Sequence, residues 1–140
     1  MVFLSIIVTI VAIAPLVANA VTFSLLTLTH PSFSNLNGDK VDSYQVGHQL
    51  IITTTFTNEV GAEMPYTAIV EVRDSFGTTM HLAFQSGMIA PNSNTTIGSS
   101  WVVQEPSEYS ESYVARAFAF KSFEDLQVLS EVLESSIEAK

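Results

Sequence analysis

The chain has 140 residues, no cysteine, and fourteen acidic against five basic side chains, for a net charge of −9. An acidic protein repels phosphate backbones, which argues against nucleic acid as a partner. Without cysteine there is neither a disulfide framework nor a blue-copper thiolate ligand.

The first segment speaks to location. Met1 to Ala20 carries no charged side chain, is apolar from Val2 to Val17, and closes on Ala18-Asn19-Ala20. An apolar run ending in a small-x-small triplet is what signal peptidase reads, with cleavage between Ala20 and Val21. No positive residue precedes the run, since the first Lys or Arg is Lys40. The competing reading is therefore an uncleaved N-terminal anchor, which needs about 20 apolar residues. Pro15 and Asn19 argue against one uninterrupted span, because proline removes a backbone donor and clashes in a helix interior. Removing 20 of the 140 residues leaves 120, residues 21–140, enough for one domain with its own core.

Beyond residue 20 the period-2 pattern recurs in runs of about 7–10 residues between turn signals, the signature of a β-sandwich. Val21–His30 is the first expected strand, followed by His30-Pro31 and a polar loop, Ser32–Asp42, with Asn37-Gly38-Asp39 as its turn signal. His48–Asn58 is the second. Leu50, Ile52, Thr54 and Phe56 share one face, and Ile51, Thr53, Thr55 and Thr57 share the other, which reads as solvated.

Tyr66–Arg73 follows, with Tyr66, Ala68, Val70 and Val72 inward and Thr67, Glu71 and Arg73 outward. Asp74-Ser75-Phe76-Gly77 joins it in a hairpin to Thr78–Gln85, where Met80, Leu82 and Phe84 are expected inward and His81 outward. Pro91-Asn92-Ser93-Asn94 marks the next turn. Thr95–Val103 sets Ile97, Trp101 and Val103 on one face, and Gln104–Ser112 is an acidic loop containing Pro106. Tyr113–Lys121 puts Tyr113, Ala115, Ala117 and Ala119 on one face and Val114, Phe118 and Phe120 on the other. Apolar residues on both faces indicate a central strand or a covered sheet face. At the C-terminal end Leu129, Val132, Leu133 and Ile137 fit a helical stripe. Leu133, Ser135, Ile137 and Ala139 also alternate as a strand, which a seven-stranded sandwich requires.

The order Tyr44-Gln45-Val46-Gly47, then Pro65-Tyr66 opening Ala68 to Asp74, then Gly77, resembles small exported archaeal proteins with an immunoglobulin-like, CARDB-like domain. Gln85-Ser86-Gly87-Met88-Ile89-Ala90-Pro91 is similar to their Q-S-G-x-L-x-P turn. Trp101, Tyr113, Phe118-Ala119-Phe120 and Gln127-Val128-Leu129-Ser130 continue the likeness, which spans roughly residues 40–132. Two departures stand out. Pro106 lies in a longer, glycine-free loop, and Asn92 stands where the family often has glycine after the proline. The resemblance implies an all-β, immunoglobulin-like antiparallel sandwich of about seven strands. An apolar N-terminal helix, signal peptide or anchor, would precede it. It implies surface location more than any activity.

Chemistry-bearing groups are sparse. His30, His48 and His81, with Met64, Met80 and Met88, show no short ligand-type spacing, so no copper site is expected. Asn35, Asn37, Asp39 and Asp42 offer oxygens for calcium. Gly38 precedes Asp39, though, which breaks the D-x-D/N-x-D/N-G order, and a solvated turn is the preferred reading. Glu105, Glu108 and Glu111 are carboxylates without an aromatic sugar platform. No G-x-S-x-G occurs, and no base is placed to activate Ser86. Asn94-Thr95-Thr96 is an N-glycosylation acceptor in an expected turn.

These readings predict no enzyme, no catalytic residue and no cofactor. They predict a secreted or cell-surface protein-binding or adhesion module, whose partner is a protein or surface layer or another copy of itself. Contact with a membrane would come only through residues 1–20 if they stay uncut. The alternatives are a filament subunit that donates Val21–His30 as a strand to its neighbour, and a membrane-anchored accessory part of a surface appendage. Intact-mass measurement on protein from its native cells is expected to show loss of residues 1–20. A full-length mass in the membrane fraction would favour the anchor instead.

Overall fold

The computed structural model describes residues 24–105 and 112–139, and the segment expected as signal peptide or anchor lies outside them. Nine strands appear: β1 (Leu26–Leu28), β2 (Ser32–Ser34), β3 (Ser43–Tyr44), β4 (Gln49–Asn58), β5 (Met64–Asp74), β6 (Thr79–Ile89), β7 (Ser93–Val102), β8 (Ser112–Phe120) and β9 (Leu133–Ala139). They form two sheets. In one, β4 pairs antiparallel with β1 and β2 on one side and with β7 on the other; the second has the order β3-β9-β8-β5-β6. Among the described residues only the short β3–β9 pair is parallel. In immunoglobulin lettering this is A-B-E against A′-G-F-C-C′, the sandwich the alternation implied.

Two stiff apolar alternations build the core. Leu50, Ile52, Thr54 and Phe56 of β4 point inward as expected, as do Ile97, Trp101 and Val103 at β7. Opposite them Tyr66, Ala68, Val70 and Val72 of β5 meet Tyr113, Ala115, Ala117 and Ala119 of β8. The alanines leave room for large neighbours. Tyr113 packs edge-on against Trp101 at 4.9 Å between ring centroids and tilted against Tyr44 at 5.0 Å. The Tyr113 hydroxyl donates to the Gln104 carbonyl at 2.8 Å, the geometry of a tyrosine corner at the entry to the F strand. Burial together with the neighbouring Tyr44 and Asp74 pushes the Tyr113 phenol up to about 12.

Polar side chains tie the loops down. Buried Asn58 directs its Nδ2 at the carbonyls of Ala62, Ile89 and Ala90 and accepts the Val60 N–H at Oδ1, fixing the loop before β5 to the β6–β7 turn. Asp74 Oδ1 accepts the N–H groups of Phe76 and Thr78, and Gly77 supplies the positive φ of 83° that closes the expected hairpin. The Leu129 carbonyl accepts the N–H groups of Leu25 and Leu26, so the first strand is held within its own chain.

Four expectations need correction. The first strand does not run through His30. Within the described residues it is Leu26–Leu28, and the supposed loop holds a second strand, Ser32–Ser34. Pro31 has no N–H to continue the ladder, so β1 and β2 meet β4 in succession, around Phe56 and Ile52. Gln85 to Ile89 is strand rather than turn, and the chain turns at Ala90–Asn92 instead. Asn94 accordingly lies in β7, opposite Thr57, exposed, not in a turn. Finally, the faces of β6 are reversed. His81 and Ala83 sit opposite the inward Val72 and Val70, whereas Leu82 and Phe84 project outward and are 59% and 64% exposed. A β-bulge at Val72/Arg73 shifts the register by which β6 enters the sheet, leaving Met80 half-buried. The C-terminal stretch is a strand as favoured, with Ile137 inward.

Trp101 is 3% exposed in the middle of the aromatic group. Trp101→Ala should lower stability by about 3–5 kcal/mol in a denaturant titration, the cost of emptying a buried indole site. A change below about 1 kcal/mol would place the ring outside the core.

Candidate functional site

The two outer sheet faces differ in chemistry. On the four-stranded sheet the outward residues are mostly hydroxyls, with Ile51 and Val102 toward one end. Thr53 meets Ser32 and Thr55 meets Thr96, each pair 2.8 Å apart. This is the solvated threonine face the sequence implied.

The outer face of the five-stranded sheet is not polar. Register places three rows across it. Leu82, Glu71, Arg116 and Glu134 form one; Phe84, Ile69 and Phe118 form the next; Ser86, Thr67 and Phe120 form the third. Side chains directly opposite in a ladder share a face, so each row is a contiguous strip. Phe123, in the loop after β8, folds back over this surface. Its ring lies 5.3 Å from both Phe84 and Phe120, edge-on to each. Lys121 and Asp125 brace that loop with an ion pair of 2.8 Å, and Val128 bridges to Phe120. Phe123, Phe84, Leu82 and Val128 all remain more than half exposed. Contiguous aromatic surface left in water is the usual mark of an interaction site.

Beside the aromatic rows sits an ionic cluster. Glu71 is 7% exposed, between Arg73 Nε at 2.9 Å and Arg116 at 3.6 Å, with Thr79 Oγ1 donating at 2.6 Å. Arg116 also reaches Glu134 at 2.8 Å. Burial by itself raises the Glu71 carboxyl, but Thr79 and the two guanidinium groups outweigh it and hold Glu71 below the ordinary carboxylate range. Thr67, Glu71 and Arg73 do point outward as expected. Thr67 and Glu71 are nevertheless buried, because β5 is central and its neighbours cover them.

The other candidate residues lie apart. Asn35 organises the Asn37–Asp42 loop, its Oδ1 accepting the N–H groups of Asn37 and Asp39 and its Nδ2 donating to Asp39. Asp42 pairs with Lys40. The loop carboxylates therefore already have local partners. His30 bonds the Glu134 carbonyl and His81 the Ser99 hydroxyl, while His48 lies just before β4 with its carbonyl accepting the Val103 N–H, so the histidines occupy three separate neighbourhoods. Among the described residues no three His, Asp or Glu side chains gather as a metal-ligand group. Ser86 shares a hydrogen bond with Thr67 rather than with a base. Glu105 is exposed, and Glu108 and Glu111 lie outside the described residues. Reading Leu82 and Phe84 as core hid this site in the sequence. The available signal was the second apolar face of β8, Phe118 and Phe120.

No protein-family model and no curated protein matches the sequence. Solved structures do match the fold. The chain is similar to the C-terminal domain of wzt at 8% identity and a TM-score of 0.65, covering 84% of this chain and 75% of that one. It is similar to a CARDB domain from Pyrococcus furiosus, solved in complex with di-metal ions, at 15% identity and a TM-score of 0.54 over 84% and 96% of the two chains. A beta-glucuronidase of glycoside hydrolase family 2 matches at 14% identity and a TM-score of 0.57, but the likeness spans 79% of this chain and only 11% of the enzyme. At such identities the shared property is an immunoglobulin-like β-sandwich.

The Glu71 cluster generates a pH prediction. A carboxyl with a lowered folded-state value contributes stability above its unfolded value, near 4.5, and loses it as pH falls through the folded value. Wild type should therefore exceed Glu71→Gln in melting temperature at pH 7, and the gap should shrink steadily below pH 4.5. A gap that is constant with pH would mean that Glu71 is not ionised in the fold.

Proposed function

We propose that this protein is a non-catalytic binding module exported to the cell surface, holding a protein partner on the outer face of the five-stranded sheet. One observation carries the reading: Leu82, Phe84, Phe120, Phe123 and Val128 form an aromatic and aliphatic surface outside a core that is already complete. Phenylalanine has no polar handle, so it gains most by leaving water altogether. Aromatic residues, methionine and arginine are the types enriched where proteins meet, and here Met88, Arg73 and Arg116 share the face with the phenylalanines. Export rests on Met1–Ala20 and its Ala18-Asn19-Ala20 ending. The exposed Asn94 on the opposite sheet would leave this face clear if glycosylated.

A photoreactive phenylalanine analogue at position 84, compared with one at position 55 on the threonine face, tests the reading in cells that make the protein natively. A discrete protein adduct from position 84, absent from position 55, is expected. No adduct at 84, or the same adducts from both positions, would overturn it.

A further inference from the structure

We propose that β6 is a self-docking edge, through which two copies of this chain pair antiparallel and join their five-stranded sheets. The proposal rests on the binding-face reading and names its occupant as a second copy.

Start from the backbone. β6 pairs with β5 on one side, and no strand pairs with its other side among the described residues. At about 3.4 Å per residue its eleven residues present an edge about 35 Å long. Exposed edges are usually blunted by shortness, charge, proline or a bulge. The other edges here follow that rule. β3 is two residues long, and β1 and β2 are three residues each, separated by Pro31. β7 is long but turns mainly polar residues outward, Asn94, Thr96 and Ser100, with Val102 the exposed apolar residue at its end. β6 has one such device, the bulge near its first residues. From Leu82 to Ile89 it has no proline and no charged side chain.

Charge then selects the occupant. The chain carries −9, so two copies repel wherever their acidic surfaces approach. Thr79–Ile89 contains no Asp, Glu, Lys or Arg; across the outer face Glu71 is paired with Arg73 and Glu134 with Arg116, and in the Phe123 loop Asp125 is paired with Lys121. Pairing β6 with its own copy therefore sets no charged residue of one strand opposite a charged residue of the other.

Symmetry supplies the rest. A strand pairs antiparallel with its own copy only through a two-fold axis normal to the sheet, and that axis keeps each face on its own side. Leu82, Phe84 and Met88 of one copy then lie beside those of the other on a single face. The ladder would satisfy the unpaired backbone groups while the two phenylalanine surfaces merge across the seam.

Sedimentation, between 1 and 100 µM, of the protein as purified from the cells that make it tests this. A dimer is expected for wild type. Ser86→Lys and Leu82→Lys, which place a cation on the edge, should each halve the mass, whereas Thr55→Lys, the same charge on the opposite face, should leave the dimer intact. Melting temperatures of the variants check that each is folded. A wild-type monomer at 100 µM, or a dimer that survives both β6 variants, overturns the proposal. The adduct formed at position 84 separates the two claims. A self-adduct supports both, an adduct with a different protein keeps the binding face and ends self-docking, and no adduct ends both.

Discussion

A β-strand must show alternate residues to opposite faces, and in β8 the inward set is apolar and the outward set is apolar but for Ser112 and Arg116. The rest of the molecule follows from how each set is used. Ala115, Ala117 and Ala119 face inward with no exposure. Their small volume makes the space into which Tyr44, Trp101 and Tyr113 fit as one group, and Phe56 and Tyr66 stack at 6.4 Å nearby. The inner layer is thereby filled without cysteine. Phe118 and Phe120 on the other face have no place in that core. With Phe84 from β6 and Phe123 from the following loop they make a second apolar layer that ends in solvent.

The ionic row beside this layer fits the same logic. A carboxylate at 7% exposure is costly unless its charge is met, and Glu71 is met by two guanidinium groups and a hydroxyl. The row spans β6, β5, β8 and β9, so it orders the central strands laterally where the outer face lacks a covering layer. It also leaves the aromatic rows bordered by neutralised charge, which lowers the cost of bringing another surface against them.

Where the inner face alone is apolar, sequence reads directly into structure. The inward sets of β4, β5 and β7, the burial of Trp101, the Asp74–Gly77 turn and the strand at Leu133–Ala139 were all visible as alternation and turn chemistry. Alternation misleads where the apolar set of an edge strand faces out: in β6 the inward residues are His81, Ala83, Gln85 and Gly87, and the apolar Leu82 and Phe84 are on the other face. That is why Leu82 and Phe84 read as core. Only the register to β5, set by the bulge at Val72/Arg73, decides the matter, and a bulge leaves no local sequence signature here. The split of the first strand at Pro31 was legible as proline chemistry but was masked by the polar composition around it. Phe123 was beyond reach of any local pattern, since it belongs to the site only because its loop folds back on β8.

The central claim is that the outer phenylalanines serve binding and not folding. Denaturant unfolding of the double variant Phe84→Ser/Phe123→Ser tests it most directly. The account predicts a loss of stability below about 1 kcal/mol, as for surface positions. A loss of about 3–5 kcal/mol, the range for buried phenylalanine, would contradict it by making these rings part of the core.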